Sequence, residues 1–202
     1  MLGSISPLGE RARGSRWGLT VGAYLSASVV AGAVLGGLLG LAGRGMVGLM
    51  EVGPSLRLSL LAAAIAVGVA LDLGLFGGRL PTVSRQVDDQ WLYRYRGWVY
   101  GIGFGFQLGL GLVTVVTISA VYSAFAAAFL SASLPPGAAV GATFGLARAA
   151  TLLLAAPVRT PEQVVAVDGA LARWDATAAR VSVVMQVLLL VAALVLAAGP
   201  GR

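Results

Sequence analysis

Four strongly polar side chains interrupt long apolar stretches of this chain: Asp72, Gln107, Arg148 and Gln186. At about 1.5 Å of helix rise per residue, Asp72 and Arg148 lie about 9 Å and about 13 Å from one end of their stretches. The two glutamines lie at similar depths in theirs. The four side chains therefore fall in one layer, where they could bind or conduct a small polar solute or an ion.

An ionisable side chain inside a lipid bilayer costs about 2.5–3.5 kcal/mol unless it is paired or hydrated. We therefore predict a salt bridge between Asp72 and Arg148, flanked by the two glutamine amides, at a cavity that opens to the cytoplasm. One alternative is a purely structural clamp between helices. Another is an Arg148 whose long side chain reaches the lipid headgroups. The first arrangement lines a pathway, whereas the other two only hold the structure.

Three reactive residue types are absent from the sequence. It has no Cys and no His, and all 14 basic residues are Arg. Without thiolates the chain cannot carry an iron-sulfur cluster or exchange disulfides, and without His it lacks the commonest metal ligand. Without Lys it cannot form a Schiff base. We therefore predict no cofactor and no metal site.

The same residues weigh against two broad functions. No nucleophile is accompanied by a base, so we expect that the protein is not an enzyme. The formal net charge is +6, but the arginines flank apolar segments and form no stripe, so we expect no nucleic-acid partner.

The elements that carry these residues are membrane helices. Hydrophobic residues make up 58% of the chain and charged residues 11%, and the mean hydropathy is +0.90. This balance is typical of a protein whose solvent is lipid. We predict an all-α, polytopic membrane helix bundle: a cytoplasmic lead (1–16), then one transmembrane domain (17–198) with five spans (17–43, 58–77, 98–130, 137–156 and 181–198) and inner loops at 78–97 and 157–180.

The distribution of arginines predicts the orientation, because short cytoplasmic loops retain basic residues. Ten arginines fall in the lead and the two inner loops, whereas three fall in the connections and terminus on the other side. All four Trp residues lie beside the arginine-rich segments, as an aromatic belt would. We expect a cytoplasmic N-terminus and, with five spans, an external C-terminus.

Two segments leave the helix count open. Residues 98–130 would form a helix of about 50 Å, longer than a hydrocarbon core of about 30 Å, so this stretch tilts or breaks. A break near its glycines or near 114–119 that produced two spans would give six in all. In the second inner loop, Thr160, Pro161 and Gln163 fit a helix start, and we predict an amphipathic helix lying in the membrane interface.

Glycines recur every four residues in three of the predicted spans. Close backbone approach along such faces supplies packing energy in lipid, where the hydrophobic effect does not draw helices together. We therefore predict glycine-ladder packing, which Gly36→Leu should disrupt. The residues are Gly32, Gly36 and Gly40, preceded by Ser28; Gly101, Gly105 and Gly109; and Gly137, Gly141 and Gly145.

The stretch 94–105, with the sequence RYRGWVYGIGFG, resembles the glycine-rich helix openings of the cytochrome-c-biogenesis and disulfide-reductase transmembrane family, in the lysine-exporter-type superfamily. Redox members of that family use a pair of membrane-embedded cysteines. This chain has none, so the resemblance implies a small helical transporter scaffold without electron transfer.

These observations predict a multi-pass protein of a bacterial cell membrane. Its leading function is transport of a small solute or ion through the layer of Asp72, Gln107, Arg148 and Gln186. The alternative is a non-catalytic assembly subunit of a membrane complex. The expected partners are the lipid bilayer and, for the glycine faces, a second copy of the chain or another membrane subunit.

Overall fold

The computed structural model describes residues 5–75, 96–111 and 118–199. In these residues the structure is all-helical and contains no strand, which confirms the predicted class. The helices are α1 (Pro7–Ala12), α2 (Trp17–Leu49), α3 (Pro54–Asp72), α4 (Gly97–Leu110), α5 (Ala120–Leu130), α6 (Leu134–Ala150) with a following 3-10 helix (Thr151–Ala155), and α7 (Pro161–Ala198).

Four of these helices are long and apolar enough to cross a membrane: α2, α3, α6 with its 3-10 extension, and α7. Their apolar side chains are largely exposed, and in the most apolar part of α7 only 11% of the residues are buried. In water such a surface would be very unfavourable, whereas in lipid it matches the solvent. The chain is therefore an integral membrane protein, and the predicted count of five or six spans stays a prediction.

The third predicted span is two helices. α4 ends at Leu110, and Gly111 adopts a left-handed conformation with φ of 67°, which a residue without a Cβ tolerates best. α5 begins only at Ala120, and residues 112–117 lie outside the described residues. Of the two alternatives, a tilted single helix or a break, the described residues show a break at Gly111.

The amphipathic helix and the fifth span, by contrast, are a single helix. The predicted start is confirmed, because Gln163 Oε1 accepts the backbone N–H groups of Arg159 and Thr160, at 2.7 and 3.2 Å. From Pro161, however, α7 continues for 38 residues. The connecting sequence LARWDATAAR contains no proline or glycine to stop it, and alanine and arginine favour continuation.

Other predicted boundaries differ by several residues. α2 extends to Leu49, α3 begins at Pro54, and α6 begins at Leu134, each beyond the predicted limit. Most of the predicted inner loop 78–97 lies outside the described residues.

The chain divides into two compact units. The first comprises Met1–Ala33, Ser84–Thr114 and Ala142–Asp175. Its core joins α1, α2, α4 and the end of α6, and its buried residues are Ile5, Val21, Tyr24, Tyr100, Phe104, Ala149 and Leu152.

The second unit comprises Val34–Val83, Val115–Gly141 and Ala176–Arg202. Within it, α3 packs against α5, and the C-terminal half of α2 packs against the start of α6. The end of α7 contributes the buried residues Gln186 and Ala193.

Candidate functional site

Two of the four predicted polar residues meet in the second unit, and a serine joins them. Gln186 Nε2 donates to Asp72 Oδ2 at 3.0 Å. Ser119 Oγ lies 2.7 Å from Asp72 Oδ2 and 2.9 Å from Gln186 Oε1, and the Ser119 backbone N–H donates to Asp72 Oδ1 at 2.9 Å. We call these three residues the Asp72 centre.

The ends of two helices and the side of a third build this centre. Asp72 is the last residue of α3, Ser119 is the N-cap of α5, and Gln186 lies inside α7. Gly68, one turn before Asp72, permits the close approach of α5. A Cβ at Gly68 would lie 2.7 Å from Ser119 Oγ and 3.0 Å from Ser119 Cβ.

The described segments that surround the Asp72 centre are apolar. Ser119 and Gln186 are only 1% and 2% exposed, and Asp72 is half-buried. Segments 58–71, 118–141 and 181–198 contain no charged residue. The centre is therefore a cluster of carboxylate, hydroxyl and amide oxygens at the end of a membrane helix, a set of acceptors suited to a small hard cation or an ammonium ion.

The other two predicted residues belong to the first unit. Gln107 is half-buried in α4. Arg148 is half-buried in α6, with its guanidinium 5.4 Å from the centre of the Phe144 ring, a cation–π distance. The salt bridge between Asp72 and Arg148 would join the two units, and it stays a prediction.

A second buried carboxylate, which the sequence did not indicate, lies in the first unit. Glu10 is 0% exposed. Arg13 Nη2 donates to Glu10 Oε1 at 2.7 Å, Thr20 Oγ1 donates to Glu10 Oε2 at 2.7 Å, and the Tyr100 hydroxyl also donates to Glu10 Oε1. We call these four residues the Glu10 centre.

The Glu10 centre joins three helices, because its residues come from α1, α2, α4 and the turn after α1. Burial lowers the pKa of Arg13. Its hydrogen bonds with Glu10 and Tyr100 raise this pKa by a larger amount, so the net shift is upward. Arg13 therefore stays charged and paired. Ser6, the N-cap of α1, and Pro7 at its first turn are local signals that the lead is folded.

The glycines of α2 and α6 in the second unit lie in close backbone contact. A Cβ at Gly36 would overlap the Gly137 carbonyl oxygen and lie 2.9 Å from Gly141 Cα. Likewise, a Cβ at Gly40 would lie 2.9 Å from the Ser133 carbonyl carbon and 3.4 Å from Gly137 Cα. Each of these positions has room for a hydrogen atom only.

In the first unit, the glycines of α4 and α6 face the backbone of α2. A Cβ at Gly101 would lie 2.7 Å from the Thr20 carbonyl oxygen. A Cβ at Gly105 would overlap the Tyr24 carbonyl oxygen, and a Cβ at Gly109 would overlap the Ser28 carbonyl oxygen. Ser28 Oγ donates to the Gly145 carbonyl oxygen at 2.9 Å. Gly32, on the same helix, is buried.

One curated protein is similar along almost the whole chain. The methylamine utilization protein MauF of Methylophilus methylotrophus is 29% identical over 199 residues, which cover 96% of this chain and 67% of that protein. No family model matches the chain. No solved structure matches it either.

This similarity corrects one prediction from the sequence. We expected that the protein is not an enzyme, because no nucleophile is paired with a base. This expectation is contradicted, since a relative that matches 96% of the chain is named a methylamine utilization protein.

Proposed function

We propose that this chain is an integral membrane protein of an enzymatic system that uses a small amine, and that its Asp72 centre binds the amine as an ammonium cation. The similarity to a methylamine utilization protein supports the choice of an amine. An aliphatic amine is protonated near neutral pH, as the side chain of Lys is, so the species to be bound is a cation.

The observation that carries the proposal is the set of oxygens in the Asp72 centre. Asp72 Oδ2, Ser119 Oγ and Gln186 Oε1 lie close together, with Ser119 Oγ within 2.9 Å of both of the others. A primary ammonium group has three N–H donors, which could reach these three acceptors. Its methyl group would then face the apolar side chains of the surrounding helices.

Transport is the finer form of this proposal. Gln107 and Arg148 would line the rest of the transport path. The N-terminus would lie in the cytoplasm and, with five spans, the C-terminus outside. The resemblance of residues 94–105 to a family of small membrane transporters is in keeping with this role.

The alternative is a subunit that assembles with a second copy or with another membrane protein through its glycine faces. The structure offers less for this role, because Gly36, Gly40 and Gly137 contact one another within the chain, as do Gly105, Gly109 and Gly145 with α2. Those faces are therefore already occupied.

Uptake of labelled methylammonium into proteoliposomes tests the proposal. Neutral methylamine crosses lipid by itself, so the rate must be compared with that of liposomes carrying Asp72→Asn. We expect uptake above this background for the wild type and for Asp168→Asn, which changes an exposed aspartate of α7. Equal rates for the wild type and Asp72→Asn would contradict transport at this centre.

The role in amine utilization has a separate test. We expect the chain to restore methylamine-dependent growth to a strain of Methylophilus methylotrophus that lacks MauF, and we expect Asp72→Asn to fail while Asp168→Asn succeeds. Restoration by Asp72→Asn would separate the growth function from the Asp72 centre.

A further inference from the structure

α1 is fixed to the end of the first unit at which α2 and α4 begin and the 3-10 helix after α6 ends. The Leu8 backbone N–H donates to the Val158 carbonyl oxygen at 3.2 Å, and Trp17 Nε1 donates to the Ile5 carbonyl oxygen at 3.3 Å. The buried Glu10 carboxylate ties the same helix to α2 and α4. The lead is therefore a folded cap on this end of the unit.

Four arginines lie on the surface of this end. Arg11 is on α1, Arg16 directly precedes α2, and Arg96 is the N-cap of α4. Arg159 lies between the 3-10 helix and α7. All four are exposed, and none is in a salt bridge within the part of the chain that the structure describes. We call these four residues the arginine surface.

Few negative charges offset the arginine surface. Glu162, at the start of α7, is the exposed carboxylate nearest to it along the chain. Asp168 lies about 9 Å further along that helix, and Asp175 is two residues from Arg173. Residues 76–95, which precede α4, contain three arginines and two aspartates. The arginine surface therefore keeps an excess of positive charge.

Exposed apolar side chains border the arginine surface. Trp98, two residues after Arg96, is 50% exposed, and Leu19, on the first turn of α2, is 59% exposed. Ile102 and Phe106 continue the exposed face of α4 at four-residue intervals. Such a face is stable in lipid, and tryptophan is enriched at the level of the headgroups, between the aqueous and apolar regions. The arginines therefore stand where lipid headgroups lie.

We propose that the arginine surface binds the headgroup of an anionic phospholipid from the leaflet that it faces. A guanidinium presents its N–H donors in a planar fork that fits phosphate oxygens. An acidic protein segment would be attracted by the same charge, but it would not account for the apolar face that continues from Trp98. Because α1 is held by Glu10, binding at Arg11 does not have to order a free chain. The proposal does not depend on the Asp72 centre.

Quenching of tryptophan fluorescence by brominated lipids measures this preference. The full chain is reconstituted in phosphatidylcholine vesicles that contain either brominated phosphatidylglycerol or the same share of brominated phosphatidylcholine. We expect stronger quenching by phosphatidylglycerol for the wild type. The ratio of the two binding constants should fall about fivefold for each arginine removed, in Arg11→Gln, Arg16→Gln and the double variant. Arg44→Gln, at an exposed arginine near the other end of α2, is the matched control and should keep the wild-type ratio.

Two further measurements locate the effect. Trp98→Phe should remove part of the quenching by phosphatidylglycerol, because Trp98 borders the arginine surface. Thermal unfolding in a zwitterionic detergent should be the same for the wild type and the arginine variants, since only exposed side chains change; Arg16→Gln alone serves if the double variant does not fold. Equal quenching by the two lipids in the wild type would overturn the proposal. The same loss of preference in Arg16→Gln and Arg44→Gln, or no change in Trp98→Phe, would overturn it too.

Discussion

The two units of this protein each contain a carboxylate at a junction of helices, and the two carboxylates are held differently. Glu10 is fully buried and accepts hydrogen bonds from a guanidinium, a phenol and a threonine hydroxyl. Asp72 is half-buried and has only neutral partners among the described residues, Ser119 and Gln186. Both sit beside a glycine that makes room for a neighbouring helix, Gly97 for Glu10 and Gly68 for Asp72.

On the proposed function, the difference separates a structural carboxylate from one that receives a cation. Glu10 has a permanent counter-charge in Arg13, at 2.7 Å, and every donor around it supplies a proton. Nothing is gained there by binding a further cation. Asp72 has acceptor oxygens beside it and, among the described residues, no cation, so an ammonium ion could take that place. Five substitutions test this comparison, given from the largest expected effect to the smallest.

Glu10→Ala should lower the free energy of unfolding by about 3–5 kcal/mol, because it leaves Arg13 without its buried partner. Thermal unfolding in detergent measures the change. Glu162→Ala, at an exposed glutamate, is the control and should have a much smaller effect. Equal stability of the two variants would show that the Glu10 centre is not structural.

Gly36→Leu should destabilise the second unit by about 3 kcal/mol, because its side chain would meet the backbone of Gly137 and Gly141. Gly45→Leu, on the same helix but with nothing within 4 Å of its Cβ position, is the matched control. This pair shows whether the second unit is held by glycine contacts, independently of Asp72. A Gly36→Leu protein as stable as the control would refute the packing.

Gly97→Ala should lower stability by about 2 kcal/mol, because the added Cβ would lie 2.9 Å from Glu10 Oε2 and overlap Thr20 Oγ1. Gly18→Ala, also in the first unit and with open space around it, should leave stability nearly unchanged. Methylammonium binding should be the same in both. Loss of binding in Gly97→Ala would mean that the Glu10 centre also takes part in function.

Gly68→Ala should affect binding more than stability. The added Cβ would meet the Ser119 side chain, which can give way by a few tenths of an ångström, so we expect a loss of about 1 kcal/mol in stability. The displaced hydroxyl should weaken methylammonium binding about tenfold. Gly48→Ala, with open space at its Cβ position, is the control for both measurements.

Gln186→Leu should have the smallest effect on stability, within about 1 kcal/mol, because an apolar side chain of similar size replaces the buried amide and Asp72 keeps its two hydrogen bonds from Ser119. Binding of methylammonium should weaken, since the cation loses one acceptor. A large destabilisation would instead indicate that the Asp72 centre holds the fold, as the Glu10 centre does.

Much of the fold could be predicted from the sequence, because lipid demands long apolar helices and these are readable from composition. The break at Gly111 was harder, since a single left-handed glycine in a run of apolar residues resembles the other glycines. The continuity of α7 was missed for the opposite reason. Polar residues of the predicted inner loop looked like an interruption, although nothing in their backbone preferences stops a helix.

The sites were only partly predictable. Asp72 and Gln186 could be placed in one layer by counting residues along their helices, and they do meet. Ser119 was missed as their partner, because a serine at a helix start is usually only a cap. Glu10 was missed because its partners Thr20 and Tyr100 are distant in sequence and come together only through the packing of α2 and α4.

Direct binding of methylammonium to the purified full chain, measured by titration calorimetry, tests the central claim. We expect the wild type and Glu162→Ala to bind methylammonium, and Asp72→Asn to bind it about 30-fold more weakly. A change in Kd of about 30-fold corresponds to the loss of about 2 kcal/mol, the contribution of one charge-assisted hydrogen bond. Equal affinities for the wild type and Asp72→Asn would contradict the claim that Asp72 receives the cation.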